Sequence, residues 1–194
     1  MNQSKRMSIL SRYFLKRTNQ HIGRVKDFCE NIAEYFPIYQ DDIIKRGQMH
    51  DKSKFIAPEY QPYLFITWEY KCKGENKPFT ISEEMRGKMR QASYTHCQKN
   101  PHHPEFWDKS LTVNPISEKD RDKPSGIIVD ATSMDDLSLM EMVADWSSMS
   151  VEYDESSGPY KWADNNINKR WKFNTQQSEL IYEIIECLWG KRDK

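Results

Sequence analysis

The sequence predicts an all-α fold in a single domain spanning residues 1–194. Apolar residues recur three and four positions apart along most of the chain, the spacing that places them on one face of a helix. A chain of 194 residues is also long enough to bury a core without disulfides. A polar, proline-containing stretch around residues 108–133 is the exception, and we expect it to be an irregular excursion from the helical bundle.

The first helix is expected in TNQHIGRVKDFCENIAEYF, which begins at Thr18. Its apolar stripe contains His21, Val25, Phe28, Ile32 and Tyr35. Pro37 ends the helix because proline lacks an amide proton and clashes with the preceding turn. His21 is therefore predicted to face the core.

A second helix is expected near QDDIIKRGQMH, with Ile43, Gly47 and His50 along one face. Gly47 has no side chain, which predicts room beside the imidazole of His50. The doublet of His50 and Asp51 ends this helix.

Two further helices follow in the sequence. The first is the aromatic-rich segment APEYQPYLFITWEYK. Thr80 with Glu83 resembles a capping box, which would start the second helix, ISEEMRGKMRQASYTHCQ. His96 closes the apolar stripe of this second helix, so it too is predicted to face the core.

The chain breaks at KNPHHPEFW, where two prolines bracket His102 and His103 in a constrained loop. These histidines either contact a metal ion or substrate, or cap a helix and stack on Trp107. The loop is polar, which favours contact with an ion or substrate.

Two helices are expected in the C-terminal part. DDLSLMEMVADWSSMSVEY predicts an apolar helix that carries Asp145, and QQSELIYEIIECLW predicts a last helix that ends at Gly190. Before them, a short extended piece is expected at residues 127–129, inside the excursion.

The composition excludes several classes of protein. Lys plus Arg and Asp plus Glu each number 29, so the net charge is zero, and long nucleic acid, which needs a dense basic surface, is not an expected partner. No segment approaches the roughly 18 apolar residues of a membrane span, so we expect neither an anchor nor a signal peptide. The cysteines form no CxxC pair, which predicts a reduced, cytoplasmic location. They are Cys29, Cys72, Cys97 and Cys187.

One local charge asymmetry precedes the first acid, Asp27. It includes Lys5, Arg6, Arg12, Lys16, Arg17 and Arg24. Such a run is either a solvated helix face or attractive to a phosphate-bearing partner. Arg24 is accordingly a candidate substrate-binding residue.

The five histidines carry the functional prediction. A single histidine on an apolar face is more often a satisfied core residue than a ligand. Burying four or five imidazoles together with Asp51 and Asp145 would leave many polar groups unsatisfied, and a cation is a common partner for such groups. These side chains are therefore predicted to converge on a metal site.

Their order resembles the H…HD…D pattern of the HD-domain superfamily, which consists of helical metal-dependent phosphohydrolases. Lys54 matches the HDxxK form of many members, and the later histidines match the extra ones of two-metal members. The segments HDKSKF, NPHHPEFW and EMVADWSSMS together resemble an uncharacterised HD-like family of bacterial and phage proteins. The chain departs from the HD-GYP pattern, because it has no GYP tripeptide and only six positions separate His96 from His102.

The resemblance implies one or two divalent transition metal ions, drawn from Mn, Fe, Zn, Co and Ni. The first ion would be held by His21, His50, Asp51 and Asp145. The second would be held by Asp51, His96 and one or both of His102 and His103. Asp51 would then bridge the two ions.

The implied reaction is hydrolysis of a phosphoester in a small, nucleotide-like substrate, with Asp51 and Lys54 as candidate catalytic residues. Lys54 would contact a phosphate oxygen, or else is an ordinary exposed lysine. Glu105 is a catalytic base, a metal ligand or a surface acid. Two other functions remain open: a di-iron HD-type oxygenase, and a catalytically silent protein that binds metal or senses a ligand.

Overall fold

The helical prediction is confirmed by the computed structural model, which describes residues 3–115 and 125–192. Helix α1 spans Gln3–Tyr35 and so begins well before the predicted start at Thr18. It ends two residues before Pro37, as the geometry of proline requires. Tyr35, in its last turn, is exposed rather than part of the buried stripe.

Helix α2 spans Gln40–Met49 and lies between two short 3-10 turns, Pro37–Tyr39 and Lys52–Phe55. A Cβ placed on Gly47 would lie 2.9 Å from the Cβ of Cys29 in α1. The missing side chain of Gly47 therefore lets Cys29 of α1 pack closely against α2. That it also leaves room beside His50 stays a prediction.

Helices α3, Tyr60–Gly74, and α4, Glu83–Lys99, occupy the two segments predicted for them. The predicted capping box at Thr80 was wrong. Ser82 caps α4 instead: its hydroxyl accepts from the amide of Met85 at 3.3 Å, and its carbonyl accepts from the amide of Arg86 at 3.0 Å. The helix therefore begins two residues after the position that the sequence pattern indicated.

The C-terminal part forms helices α5, Asp136–Glu152, α6, Tyr160–Asn166, and α7, Thr175–Trp189. α5 and α7 were predicted and α6 was not. Gly190 follows α7 with a φ of +78°, a conformation that glycine adopts without strain.

A small parallel sheet pairs β1, Val129–Asp130, with β2, Trp171–Lys172. The predicted extended piece at residues 127–129 is thus a strand only at its last residue. In the described part of the 108–133 stretch, β1 is the one regular element, so the excursion is irregular as expected. Residues 116–124 of that stretch lie outside the described residues.

The chain divides into two compact units. The first contains Met1–Gln20 and Asp51–His96, and the second contains His21–His50 and Cys97–Lys194. Each unit has its own apolar core. The core of the first unit includes Leu10, Phe14, Tyr63, Leu64 and Met89, and that of the second includes Ile32, Ile43, Leu139, Met142, Ile181 and Ile184. The single domain stays a prediction.

Among the described residues, no helix is both long enough and apolar enough to cross a membrane.

Candidate metal centre

Three of the predicted ligands meet in the second unit: His21 from α1, His50 directly after α2, and Asp145 from α5. His21 Nε2 lies 3.2 Å from Asp145 Oδ1 and 3.3 Å from His50 Nε2. His50 Nε2 lies 4.0 Å from Asp145 Oδ1. Atoms with these separations can all form bonds of roughly 2.0–2.1 Å to one ion. The donor set, two imidazoles and a carboxylate, also suits a divalent transition metal.

Two side chains of α5 fix the orientation of these rings. Ser148 Oγ lies 3.0 Å from His21 Nδ1, and Glu141 Oε1 lies 2.9 Å from His50 Nδ1. A partner at Nδ1 is the usual device that holds a metal-binding imidazole and leaves Nε2 for the ion. Glu141, Asp145 and Ser148 are four and three positions apart, so they share one face of α5.

Sequence reasoning missed Glu141 and Ser148. Their spacing from Asp145 was the available signal, because residues at i, i+4 and i+7 of a helix point the same way. It was overlooked because a glutamate and a serine are common on any helix.

Asp145 is the most exposed member of the group. Its side chain is 19% exposed, whereas that of His50 is completely buried. Burial opposes ionisation, but the hydrogen bond with His21 and the nearby imidazoles hold the pKa of Asp145 below its usual range. Asp145 is therefore held as a carboxylate, the form that binds a metal ion.

Glu141 links His50 to His102. Its Oε1 lies 3.2 Å from His102 Nδ1, and Arg46 donates to its Oε2 at 3.2 Å. The carboxylate is buried, which opposes ionisation, yet hydrogen bonds with His102 and His50 keep its pKa below the usual range. Glu141, His50 and His102 also form a second set of atoms close enough to share an ion.

Asp51 and His96 lie together in the first unit. Asp51 Oδ1 is 3.0 Å from His96 Nε2, and His96 Nδ1 is 2.8 Å from Glu59 Oε2. Ser53 donates to the same Glu59 oxygen at 3.0 Å. Burial opposes ionisation of Glu59, but the hydrogen bonds with His96 and Ser53 and the nearby charges together lower the pKa of Glu59. Glu59 was not recognised from the sequence.

The backbone at Asp51 has a φ of +57°, in the left-handed region that aspartate enters more readily than most residues. The doublet therefore does end α2. Its histidine joins the group of the second unit, and its aspartate joins the group of the first. The predicted four-ligand set that includes Asp51 stays a prediction, as does the second ion on Asp51, His96 and the loop histidines.

Lys54 and Arg24, the predicted substrate contacts, each have a protein partner. The Lys54 ammonium contacts the carboxylate of Asp51 and lies 5.1 Å from the centre of the Tyr63 ring. Arg24 donates to Glu152 at 2.7 Å and to Ser148 at 3.2 Å. Arg24 thus supports the serine that holds His21, and the substrate roles remain predictions.

Glu105 and His103 lie in the second unit near Cys97. Glu105 is 3% exposed, so it is not a surface acid. Two of the predicted roles of Glu105 remain, a catalytic base and a metal ligand. A catalytic role for Glu105, Asp51 or Lys54 stays a prediction.

The sequence model of a family of unknown function, DUF5662, matches residues 10–187. Since this match covers most of the chain, the chain belongs to that family. Neither the curated proteins nor the solved structures include a significant match to it.

Proposed function

We propose that this member of the DUF5662 family is a metal-dependent phosphohydrolase that acts on a small, nucleotide-like phosphoester. The observation that carries the proposal is the convergence of His21 Nε2, His50 Nε2 and Asp145 Oδ1 within 4.0 Å of one another. Three ligands leave further positions of an ion open, as catalytic metal sites require.

The surrounding side chains hold these ligands in place, and one of the ligands is open to solvent. Glu141 and Ser148 hold the two imidazoles by Nδ1, so the ligand atoms need little rearrangement to bind an ion. The partial exposure of Asp145 lets solvent and substrate approach from its side. A bound ion would supply a water of lowered pKa and would neutralise charge on phosphoryl oxygens.

Phosphoesters are the proposed substrate class because the HDxxK form at residues 50–54 resembles that of phosphohydrolases. A lysine in this form suits a phosphate oxygen, since its ammonium is a compact positive charge. The zero net charge of the chain favours a small substrate over long nucleic acid. The expected location is the cytoplasm, because the cysteines form no CxxC pair in the sequence.

The test combines metal analysis with a hydrolysis assay on nucleoside phosphates, cyclic nucleotides and simple phosphomonoesters. The wild type is expected to bind a divalent transition metal and to hydrolyse at least one of these, and His50→Ala is expected to lose both properties. Gln48→Ala changes an exposed residue of α2 and is the matched control.

Unchanged metal content and turnover in His50→Ala would contradict the proposal. Bound metal without turnover of any phosphoester would support a silent metal-binding protein instead. A bound iron pair with oxygen consumption would support the di-iron oxygenase.

A further inference from the structure

A further set of potential ligands lies in the second unit, apart from the residues that hold His21 and His50. Cys97 Sγ, a ring nitrogen of His103 and a carboxylate oxygen of Glu105 lie within 4.8 Å of one another. Cys97 forms no disulfide, and its side chain is buried. Thiolate, imidazole and carboxylate together are a donor set for zinc or cobalt.

The two carboxylate oxygens of Glu105 lie in different surroundings. Its Oε1 accepts from the indole of Trp171 at 3.1 Å, and the nearest Arg170 nitrogen is 3.9 Å from the same oxygen. Its other oxygen, Oε2, is buried without a hydrogen-bond partner among the described residues. Burying a carboxylate oxygen without a partner is unfavourable in free energy, and a bound cation would offset that penalty.

The loop that carries His103 and Glu105 is held in shape by its own hydrogen bonds. The amide of His103 donates to the carbonyl of Asn100 at 3.0 Å, and the amide of Phe106 donates to the carbonyl of His103 at 3.1 Å. The indole of Trp107 donates to the carbonyl of Pro101 at 2.8 Å. An ion would therefore bind to a loop that is already ordered, with little entropic cost.

We propose that Cys97, His103 and Glu105 form a second metal site, which takes a thiophilic divalent ion such as zinc. Ligand atoms of a tetrahedral zinc ion are roughly 3.5 Å apart. Atoms that now lie within 4.8 Å of one another therefore need to close by about an ångström at most, which a change of side-chain torsion angles provides. On binding, the thiol of Cys97 loses its proton to solvent, and the thiolate becomes the ligand. Three protein ligands leave the fourth position of a tetrahedral ion open.

This site has a signature that the His21, His50 and Asp145 group lacks, because that group contains no sulfur. Cobalt added to the full chain is expected to give a thiolate-to-cobalt charge-transfer band in the near ultraviolet. X-ray absorption of the zinc-loaded wild type is expected to show a sulfur neighbour at about 2.3 Å. The second measurement needs no variant, so it stands whether or not a substituted chain folds.

Cys97→Ser is expected to abolish the cobalt band, and Cys187→Ser, which changes a cysteine of α7, is expected to retain it. Glu105→Gln keeps an acceptor for Trp171 but removes the negative charge. The affinity for cobalt, measured by titration of the charge-transfer band, should therefore fall about ten-fold or more. His50→Ala should leave the band intact, even if it abolishes phosphoester turnover. The experiments can therefore contradict the proposed metal site at Cys97 without contradicting the proposed phosphohydrolase function, and the reverse.

Absence of sulfur from the zinc environment of the wild type would overturn the assignment. So would a cobalt band that persists in Cys97→Ser, or one that is lost equally in Cys187→Ser.

Discussion

Glu141 holds two imidazoles through one carboxylate oxygen, at 2.9 Å from His50 and 3.2 Å from His102. Glu141→Gln replaces the anionic acceptor by a neutral amide, which binds two ring N–H groups less strongly. Affinity for Mn²⁺ is expected to fall about 10–100-fold, the usual effect of losing such a supporting group. Isothermal titration with Mn²⁺ measures this, because manganese favours oxygen and nitrogen over a thiolate.

Glu183→Gln is the matched control for that substitution, since Glu183 is an exposed acid of α7. Equal Mn²⁺ affinities for the wild type and Glu141→Gln would mean that the two histidines keep their orientation without the carboxylate.

Lys54 is predicted to stabilise charge on a phosphate oxygen. If it does, Lys54→Ala should lower phosphoester turnover about ten-fold or more. Metal held by His21, His50 and Asp145 should be unchanged, because Lys54 is not among those ligands. Steady-state kinetics with elemental analysis of the same preparations tests both statements.

Lys52→Ala, which removes an exposed lysine from the same 3-10 turn, is the control for Lys54→Ala. Identical kinetics in the wild type and Lys54→Ala would mean that Lys54 does not act on the substrate and only contacts Asp51 and Tyr63.

The sequence indicated residues whose chemistry is unusual for their position. His21 and His50 stood out because an imidazole on an apolar face needs a partner, and Asp145 stood out inside an apolar helix. Glu141 and Glu59 did not stand out, because a glutamate in or near a helix is ordinary. Their importance depends on which imidazole nitrogen they meet, and that follows only from how separate helices pack.

At the scale of elements, helix α7 depends on its N-terminal cap. Asn174 Oδ1 accepts from the amide of Gln177 at 2.8 Å, and the Gln177 side chain accepts from the amide of Asn174 at 2.9 Å. Asn174→Ala is expected to cost about 1 kcal/mol of folding stability and to lower Tm by roughly 2–4 °C. Thermal denaturation followed by circular dichroism gives the shift.

Asn174→Asp should stay close to the wild type in that experiment, because aspartate caps a helix about as well as asparagine. A loss of Tm as large as that of Asn174→Ala would show that the cap hydrogen bond is not what stabilises α7.

Asp164 connects α6 to α7 and to the segment after it. It accepts from Tyr182 at 2.8 Å and from Arg192 at 2.6 Å. Burial opposes ionisation, but these hydrogen bonds lower the pKa of Asp164 overall. A lowered pKa stabilises the fold above the unfolded value of about 3.9, and this contribution is lost as the pH falls below it.

Asp164→Asn is therefore expected to lower Tm at pH 7 by about 1–3 °C. The difference from the wild type should shrink as the pH is lowered from 5 toward 2, and thermal scans across that range measure it. Glu179→Gln, at an exposed acid of α7, is the control. A difference that stays constant with pH would assign the effect to packing rather than to ionisation.

The long helices were predictable because their apolar spacing repeats over many turns, as in α1 and α5. The short elements were not. β1 and β2 contain two residues each and pair across some forty positions of sequence, so no local pattern specifies them. The start of α4 was misplaced because Thr80 and Ser82 are both good capping residues, and only the backbone path selects Ser82.

At the scale of the second unit, the three proposed ligands come from distant parts of the chain. His21, His50 and Asp145 belong to α1, to the end of α2 and to α5, and Asp145 is 124 positions from His21 along the sequence. An unfolded chain holds these side chains far apart. An ion that needs all three therefore binds the folded state and not the unfolded one.

Binding restricted to the folded state raises stability by mass action. At a free Mn²⁺ concentration 100 times Kd, the gain is about 2.7 kcal/mol, which corresponds to a rise in Tm of roughly 5–10 °C for a chain of this size. Excess chelator should reverse the rise. His50→Ala should show neither the rise nor the reversal, whereas Gln48→Ala should show both. A rise of equal size in His50→Ala would mean that manganese stabilises the chain at some other place than the group formed by His21, His50 and Asp145.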